Sequence, residues 1–240
     1  MHKHEGENRI FGAFRAGEGR AQSFVNFPKI PLIFPLLWYI IYLYKFPHQR
    51  IVHMALHRPA RRFGAPQVSV KKIPVRLFGT VSESIVDGPG IRFVIFVQGC
   101  PHHCPGCHNP GSHNPEGGTL TDTAALWDTI LKYPHIDGVT FSGGEPFTHA
   151  AALAEIGRAA REKGLNVMTY SGYTYERLLE MARTDPAVHE LLTVTNYLVD
   201  GPFVLAERDL TLKYRGSRNQ RILDVTCYPN SADAAEWSES

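Results

Sequence analysis

Three cysteines, Cys100, Cys104 and Cys107, lie within eight residues of one another. They sit in Gly99-Cys-Pro-His-His-Cys-Pro-Gly-Cys-His-Asn109, which begins where a run of β-formers, Arg92 to Val97, ends. Thiols this close in sequence are better placed to share a metal than to bridge distant loops. A protein-only site for an iron–sulfur cubane takes four thiolates. Three would hold three irons and leave the fourth open to a ligand that is not protein. The structural rival is zinc, completed by His102, His103, His108 or Cys227. The Cys-x3-Cys-x2-Cys gap is unlike the paired Cys-x2-Cys knuckles of zinc modules, and that favours the cluster.

The text around this loop alternates between strand and helix. Val75 to Thr80 and Arg92 to Val97 are β-branched and aromatic, as strands prefer. Thr121 or Asp122 can cap a helix carrying Leu126, Ile130 and Leu131, which ends before Pro134. Val139 to Phe141 predicts a short strand running into Ser142-Gly-Gly-Glu-Pro146. A helix over Ala150 to Lys163 follows, stopped by Gly164. Leu165 to Tyr170 predicts a strand, Glu176 to Arg183 a helix, and Tyr197 to Val199 and Arg221 to Val225 the last strands. Such alternation predicts an α/β fold with a parallel sheet and crossover helices. In such sheets small ligands bind at the carboxyl ends of strands, where Gly143 and Gly144 would let one approach the backbone. A full eight-fold β/α barrel takes about 250 residues. The segment 73–229 is shorter, so the expected architecture is a partial, open β/α barrel.

The first 72 residues read differently. Ile30 to Tyr44 is apolar and aromatic but carries Pro31 and Pro35. It is shorter than the roughly 20 residues of a membrane span and lacks the cleavage site of a signal peptide. Lys45 to Lys72 reads as a solvated linker. Three readings stand: a start upstream of a true one at Met54, an ordinary packed extension, and, least favoured, a membrane or interface anchor. Residues 230–240 read as a C-terminal tail. At 43% hydrophobic and 20% charged the chain can bury a core, and a net charge of +2 gives no footprint for nucleic acid. Four clustered or isolated cysteines suit a reducing compartment, with bacterial cytoplasm expected.

The motifs together carry a resemblance. Cys100-x3-Cys104-x2-Cys107 with Ser142-Gly-Gly-Glu-Pro146 resembles the radical S-adenosylmethionine superfamily. Val86-Asp-Gly-Pro-Gly-Ile-Arg92 and Cys107-His-Asn109 resemble the glycyl-radical-enzyme activases within it. Val199-Asp-Gly-Pro-Phe203 and Tyr214-Arg-Gly-Ser-Arg-Asn-Gln-Arg-Ile222 are similar to the branch that activates the anaerobic ribonucleoside-triphosphate reductase. The resemblance runs from about Phe78 to Val225 and covers none of the first 72 residues.

That resemblance implies a radical oxidoreductase whose Cys100, Cys104 and Cys107 ligate a [4Fe-4S] cluster. S-adenosylmethionine would chelate the fourth iron. Gly143, Gly144 and Glu145 would hold its methionyl amine, chiefly through carbonyls, and Gly106 and His108 would lie against its nucleoside. Gly106 replaces the aromatic residue that many relatives carry there. Ser171, in the Tyr170-Ser-Gly-Tyr173 turn, would meet the same ligand. Reductive cleavage would give a 5′-deoxyadenosyl radical that takes hydrogen from a glycine of the partner, with no protein acid or base required. The implied partners are the glycyl-radical subunit of the reductase and a low-potential donor such as flavodoxin. Pyruvate formate-lyase activation, a small-molecule radical enzyme and a zinc-binding module remain as alternatives.

Other residues carry plainer expectations. Cys227 suits a small buried position, Trp127 the core, and His102 and His103 an exposed loop. Asp87 serves either as a turn former or as a contact for the partner's peptide. Arg215, Asn219 and Gln220 would bind the partner or shape the mouth of the site.

Overall fold

The computed structural model describes residues 68–237, and the expectations for the segment before Val68 lie outside the described residues. The elements are β1 Pro74–Ser84, β2 Arg92–Val97, β3 Thr119–Asp122, α1 Thr123–Ile130, β4 Gly138–Gly143, α2 Ala150–Glu162, β5 Asn166–Tyr170, α3 Tyr175–Ala182, α4 Pro186–Val194, β6 Tyr197–Asp200, β7 Arg221–Asp224 and β8 Ala235–Glu236.

All eight strands form one sheet in the order β3-β1-β2-β4-β5-β6-β7-β8. Its centre, β2-β4-β5-β6, is parallel. The expected all-parallel sheet is corrected at both flanks, where β1, β3, β7 and β8 pair antiparallel. β1 turns back to β2 through the short Asp87-Gly-Pro-Gly90 loop, which leaves no room for a crossover helix. Sheet and helices are α/β as expected, and β3 and β8 are its edges.

The helices begin where side chains satisfy their first amides. Asp122 accepts from Ala125 N, Thr174 from Arg177 N and Asp185 from Ala187 N. Helix α4 is not among the expected helices, although Asp185-Pro186 is a capping residue followed by proline at the first helical position. The apolar core lies between helices and sheet: Phe93, Ile95, Val97, Val139, Phe141, Val167 and Leu198 meet Trp127, Leu153, Ile156, Leu178 and Leu191. Alternate strand residues point to the opposite face, where Arg92, Thr140, Met168, Tyr170 and Tyr197 lie.

Contacts continue beyond residues 73 and 229 at both ends. Val68 and Val70 pack against the core, and Lys71 N donates to Glu155 Oε1 at 2.7 Å. At the other end β8 adds to the sheet, and Trp237 packs on Tyr197 and Tyr214 at 5.4 and 6.0 Å. Within the segment 230–240, read from the sequence as a C-terminal tail, Ala235 and Glu236 thus pair with β7. Among the described residues no helix is long and apolar enough to cross a membrane.

Candidate cluster and cofactor site

The parallel strands β2, β4 and β5 all end at the same edge, and each ends in a chemically marked turn. β2 runs into Cys100, β4 into Ser142-Gly143-Gly144, and β5 into Ser171-Gly172. These turns border one open cavity of about 650 Å3, which the three thiols, Asp87 and Arg215 also line.

The close approach of the first two turns demands glycine. Gly143 has φ of 99°, and a Cβ there would lie 2.6 Å from Phe96 Cα. A Cβ on Gly144 would overlap the carbonyl oxygen of Gly99. With no side chains between them, Gly144 N donates to Val97 O and Glu145 N to Gly99 O, both at 2.8 Å. The Ser142–Glu145 turn is thereby fastened beneath the residue that precedes Cys100.

The cysteine loop is shaped by its backbone. Gly99 N donates to Ser112 O at 2.7 Å, Cys100 N to His113 O at 3.1 Å and Cys107 N to Cys104 O at 3.1 Å. Asn109 N donates to Cys107 Sγ at 3.4 Å. Burial pushes the Cys100 thiol up, and backbone hydrogen bonding from His102 and His103 offsets only part of that rise. A coordinated metal overrides that balance, because a ligating thiol is deprotonated outright. Among the described residues no three His, Cys, Asp or Glu side chains converge as ligands of a single ion would. A cubane asks something different, since each thiolate binds its own iron. Three free, half-buried thiols on one cavity wall fit that requirement.

Glu145 does not line the cavity. Its carboxylate is fully buried behind the wall and accepts from Phe147 N at 3.0 Å, Ser171 Oγ at 3.0 Å, Gly172 N at 2.8 Å and His102 Nε2 at 2.7 Å. Its carbonyl is engaged too, by Thr148 N at 3.1 Å and Thr148 Oγ1 at 2.7 Å. Gly106 also stands outside the lining. It has φ of 74°, and a Cβ there would sit 2.8 Å from Leu205 Cδ1. His108 lines the wall, with its ring 5.0 Å from that of Phe203.

Two expectations are corrected. Cys227 is exposed rather than packed, because it sits in the turn after β7, where its carbonyl accepts from Ser231 N. His103 is exposed as expected, but the ring of His102 turns inward to Glu145 and lies edge-on to Tyr173 at 4.5 Å. Trp127 is in the core.

The rest of the rim is tied by the residues of the C-terminal motifs. Asn219 Nδ2 donates to Pro202 O at 2.8 Å and Gln220 Nε2 to Gly201 O at 3.1 Å. Gln220 Oε1 accepts from Gly216 N at 2.9 Å, and Arg215 Nη1 donates to Gln220 O at 2.6 Å. Of these, Arg215 and Gln220 line the cavity. Asp87, which also lines the cavity, accepts from Ser84 Oγ at 2.5 Å, and its carbonyl accepts from Thr140 Oγ1 at 2.8 Å.

Beneath the cavity lies Arg92, fully buried, donating to Thr140 Oγ1 at 2.5 Å, Asn166 Oδ1 at 2.6 Å, Val139 O at 2.6 Å and Pro89 O at 3.0 Å. Burial pulls its guanidinium down to about 10, so it stays charged at neutral pH. The Tyr170 hydroxyl is pushed up by burial, and it donates to Tyr214 O at 2.7 Å. In the sequence Arg92 only closes the Val86–Arg92 motif, and nothing local marks it as a buried hydrogen-bond hub.

The signature of the 4Fe-4S single cluster domain matches residues 86–223, which contain every one of these turns. The anaerobic ribonucleoside-triphosphate reductase-activating protein of Escherichia coli (strain K12) is 32% identical over 150 residues, covering 58% of this chain and 91% of that protein. This chain belongs to the radical SAM glycyl-radical activases. The pyruvate formate-lyase 1-activating enzyme of Escherichia coli (strain K12) is 30% identical over 168 residues, covering 68% of this chain and 65% of that enzyme. The chain thus spans just under two thirds of that second activase. QueE from Escherichia coli is 17% identical with a TM-score of 0.33, covering 43% of this chain and 53% of that one, which is too slight to bear on the fold. The cofactors of radical SAM activases are a [4Fe-4S] cluster and S-adenosylmethionine.

Proposed function

We propose that this chain activates an anaerobic ribonucleoside-triphosphate reductase by generating its glycyl radical, in the bacterial cytoplasm and with a low-potential donor such as flavodoxin. The observation that carries this reading is the single cavity in which three thiols meet the Ser142–Gly144 and Ser171–Gly172 turns. Cys100, Cys104 and Cys107 would hold the cluster, leaving one iron for S-adenosylmethionine. Gly143 and Gly144 would offer backbone to its methionyl amine, with Ser171 beside them and His108 against the nucleoside. Glu145 supports this wall from behind rather than touching the ligand with its carboxylate, and Gly106 provides the left-handed turn before Cys107.

When bound, the two cofactors supply one-electron cleavage of the sulfonium and a carbon radical able to take hydrogen from glycine. The chain's own residues orient and enclose. We read the open sheet as a partial β/α barrel, whose mouth between Asp87 and Arg215 admits a loop of another protein. Coverage of 91% of the reductase-activating protein, against 65% of the pyruvate formate-lyase activase, supports the choice of partner.

The test uses reduced, anaerobically reconstituted protein with S-adenosylmethionine. It is incubated separately with the reductase and with pyruvate formate-lyase, and glycyl-radical signals are recorded by electron paramagnetic resonance. A signal on the reductase is expected. A signal only on the lyase would move the assignment to that enzyme.

A further inference from the structure

His102 stands between the cluster loop and the turn that Glu145 holds together. Its Nε2 lies 2.7 Å from Glu145 Oε2, and a carboxylate can only accept, so Nε2 carries the hydrogen. The remaining donors to that carboxylate come from after β4 (Phe147 N) and after β5 (Ser171 Oγ and Gly172 N). His102 is thus the one contributor from the cysteine loop. Its ring is fitted closely: a Cβ on Gly172 would overlap His102 Cδ2, and the Tyr173 ring meets it edge-on at 4.5 Å.

We propose that His102 is a positioning residue that, through its hydrogen bond to buried Glu145, fixes Cys100 and Cys104 relative to the Gly143–Gly144 and Ser171–Gly172 turns. Resting on the reading of the three cysteines as cluster ligands, it assigns His102 a role that the spacing of the cysteines does not contain. The side chain need not touch the cluster. It anchors the three residues between the first two thiols, and Glu145 transmits that anchor to the wall that receives the second cofactor. Outer-sphere partners of this kind orient ligands.

The test compares the parent protein with His102→Leu and His102→Gln after anaerobic reconstitution. The Gln amide can still donate to Glu145, whereas Leu fills space without a donor. Iron loss to a chelator is followed in time, along with the change in the reduced cluster's paramagnetic spectrum on adding S-adenosylmethionine. Melting of the metal-free proteins reports on the fold. His102→Leu is expected to lose iron about 10–100-fold faster and to give an altered spectral response, the magnitude typical of removing an outer-sphere partner. His102→Gln is expected to stay near the parent, and the metal-free melting points to agree. The proposal is overturned if His102→Leu keeps its iron as long as the parent, or if His102→Gln is as impaired as His102→Leu. A parent protein that takes up no cluster at all would overturn the ligand assignment, and the proposal with it.

Discussion

The two faces of the central sheet carry residues of different chemistry from the same strands. On the helix side, Phe93, Ile95, Val139, Phe141, Val167 and Leu198 form an apolar layer with no solvent exposure beyond 1%. On the other side the intervening positions hold Arg92, Thr140, Met168, Tyr170 and Tyr197, a layer held by hydrogen bonds as much as by packing. The first face sets stability. The second face, with the turns at its carboxyl edge, spends its hydrogen bonds on holding loops in place. A chain built this way can lose function without unfolding, and can be weakened without losing its site.

The sharpest way to break that separation is Cys104→Ala. It is expected to abolish the intact cluster and all S-adenosylmethionine cleavage while the metal-free fold melts as before, measured by iron content, product release and circular dichroism. Phe141→Ala, on the apolar face, should cost about 3–5 kcal/mol in denaturant unfolding, while the spectrum of the loaded cluster stays unchanged. Arg92→Leu tests the boundary between the faces. It strips donors from Asn166, Thr140 and the Val139 carbonyl, so about 2–4 kcal/mol should be lost. The Asp87–Gly90 loop should loosen with it, visible as faster amide exchange there. Arg92→Lys should recover little, because one ammonium cannot reproduce the fork.

The smallest effect belongs to an exposed ion pair, Arg221 with Glu176. A hydrogen bond from Arg221 holds the Glu176 carboxyl down at about 2, against an ordinary 4.5. A depressed carboxyl contributes stability above its unfolded value and loses it as pH falls toward 2. Glu176→Gln should therefore flatten the acid limb between about pH 4.5 and 2. The change should stay under about 1 kcal/mol, because the side chain is largely in water. Unfolding at several pH values measures it.

Legibility in the sequence followed the same division. The helix-facing strands were readable because β-branched and aromatic residues mark a packed surface. Strand direction was not, since Val75 to Thr80 looks the same whether it runs parallel or antiparallel to β2. β3 and β8 escaped because four and two mostly exposed residues carry no period. The cysteines were readable because metal ligation imposes spacing. His102 was misread as exposed because its partner lies 43 positions away, and no local pattern records that meeting. Arg92 and Trp237 were passed over for the same reason: their meaning comes from Asn166, Tyr197 and Tyr214, each brought near only by the fold.

The measurement that bears most directly on the central claim is made on anaerobically reconstituted protein, reduced with dithionite and given S-adenosylmethionine. Iron, acid-labile sulfide and released 5′-deoxyadenosine are counted together. The account predicts about four irons per chain, matching sulfide, and nucleoside release that needs both reductant and cluster. An iron-free protein that loads zinc instead and releases no nucleoside would contradict it.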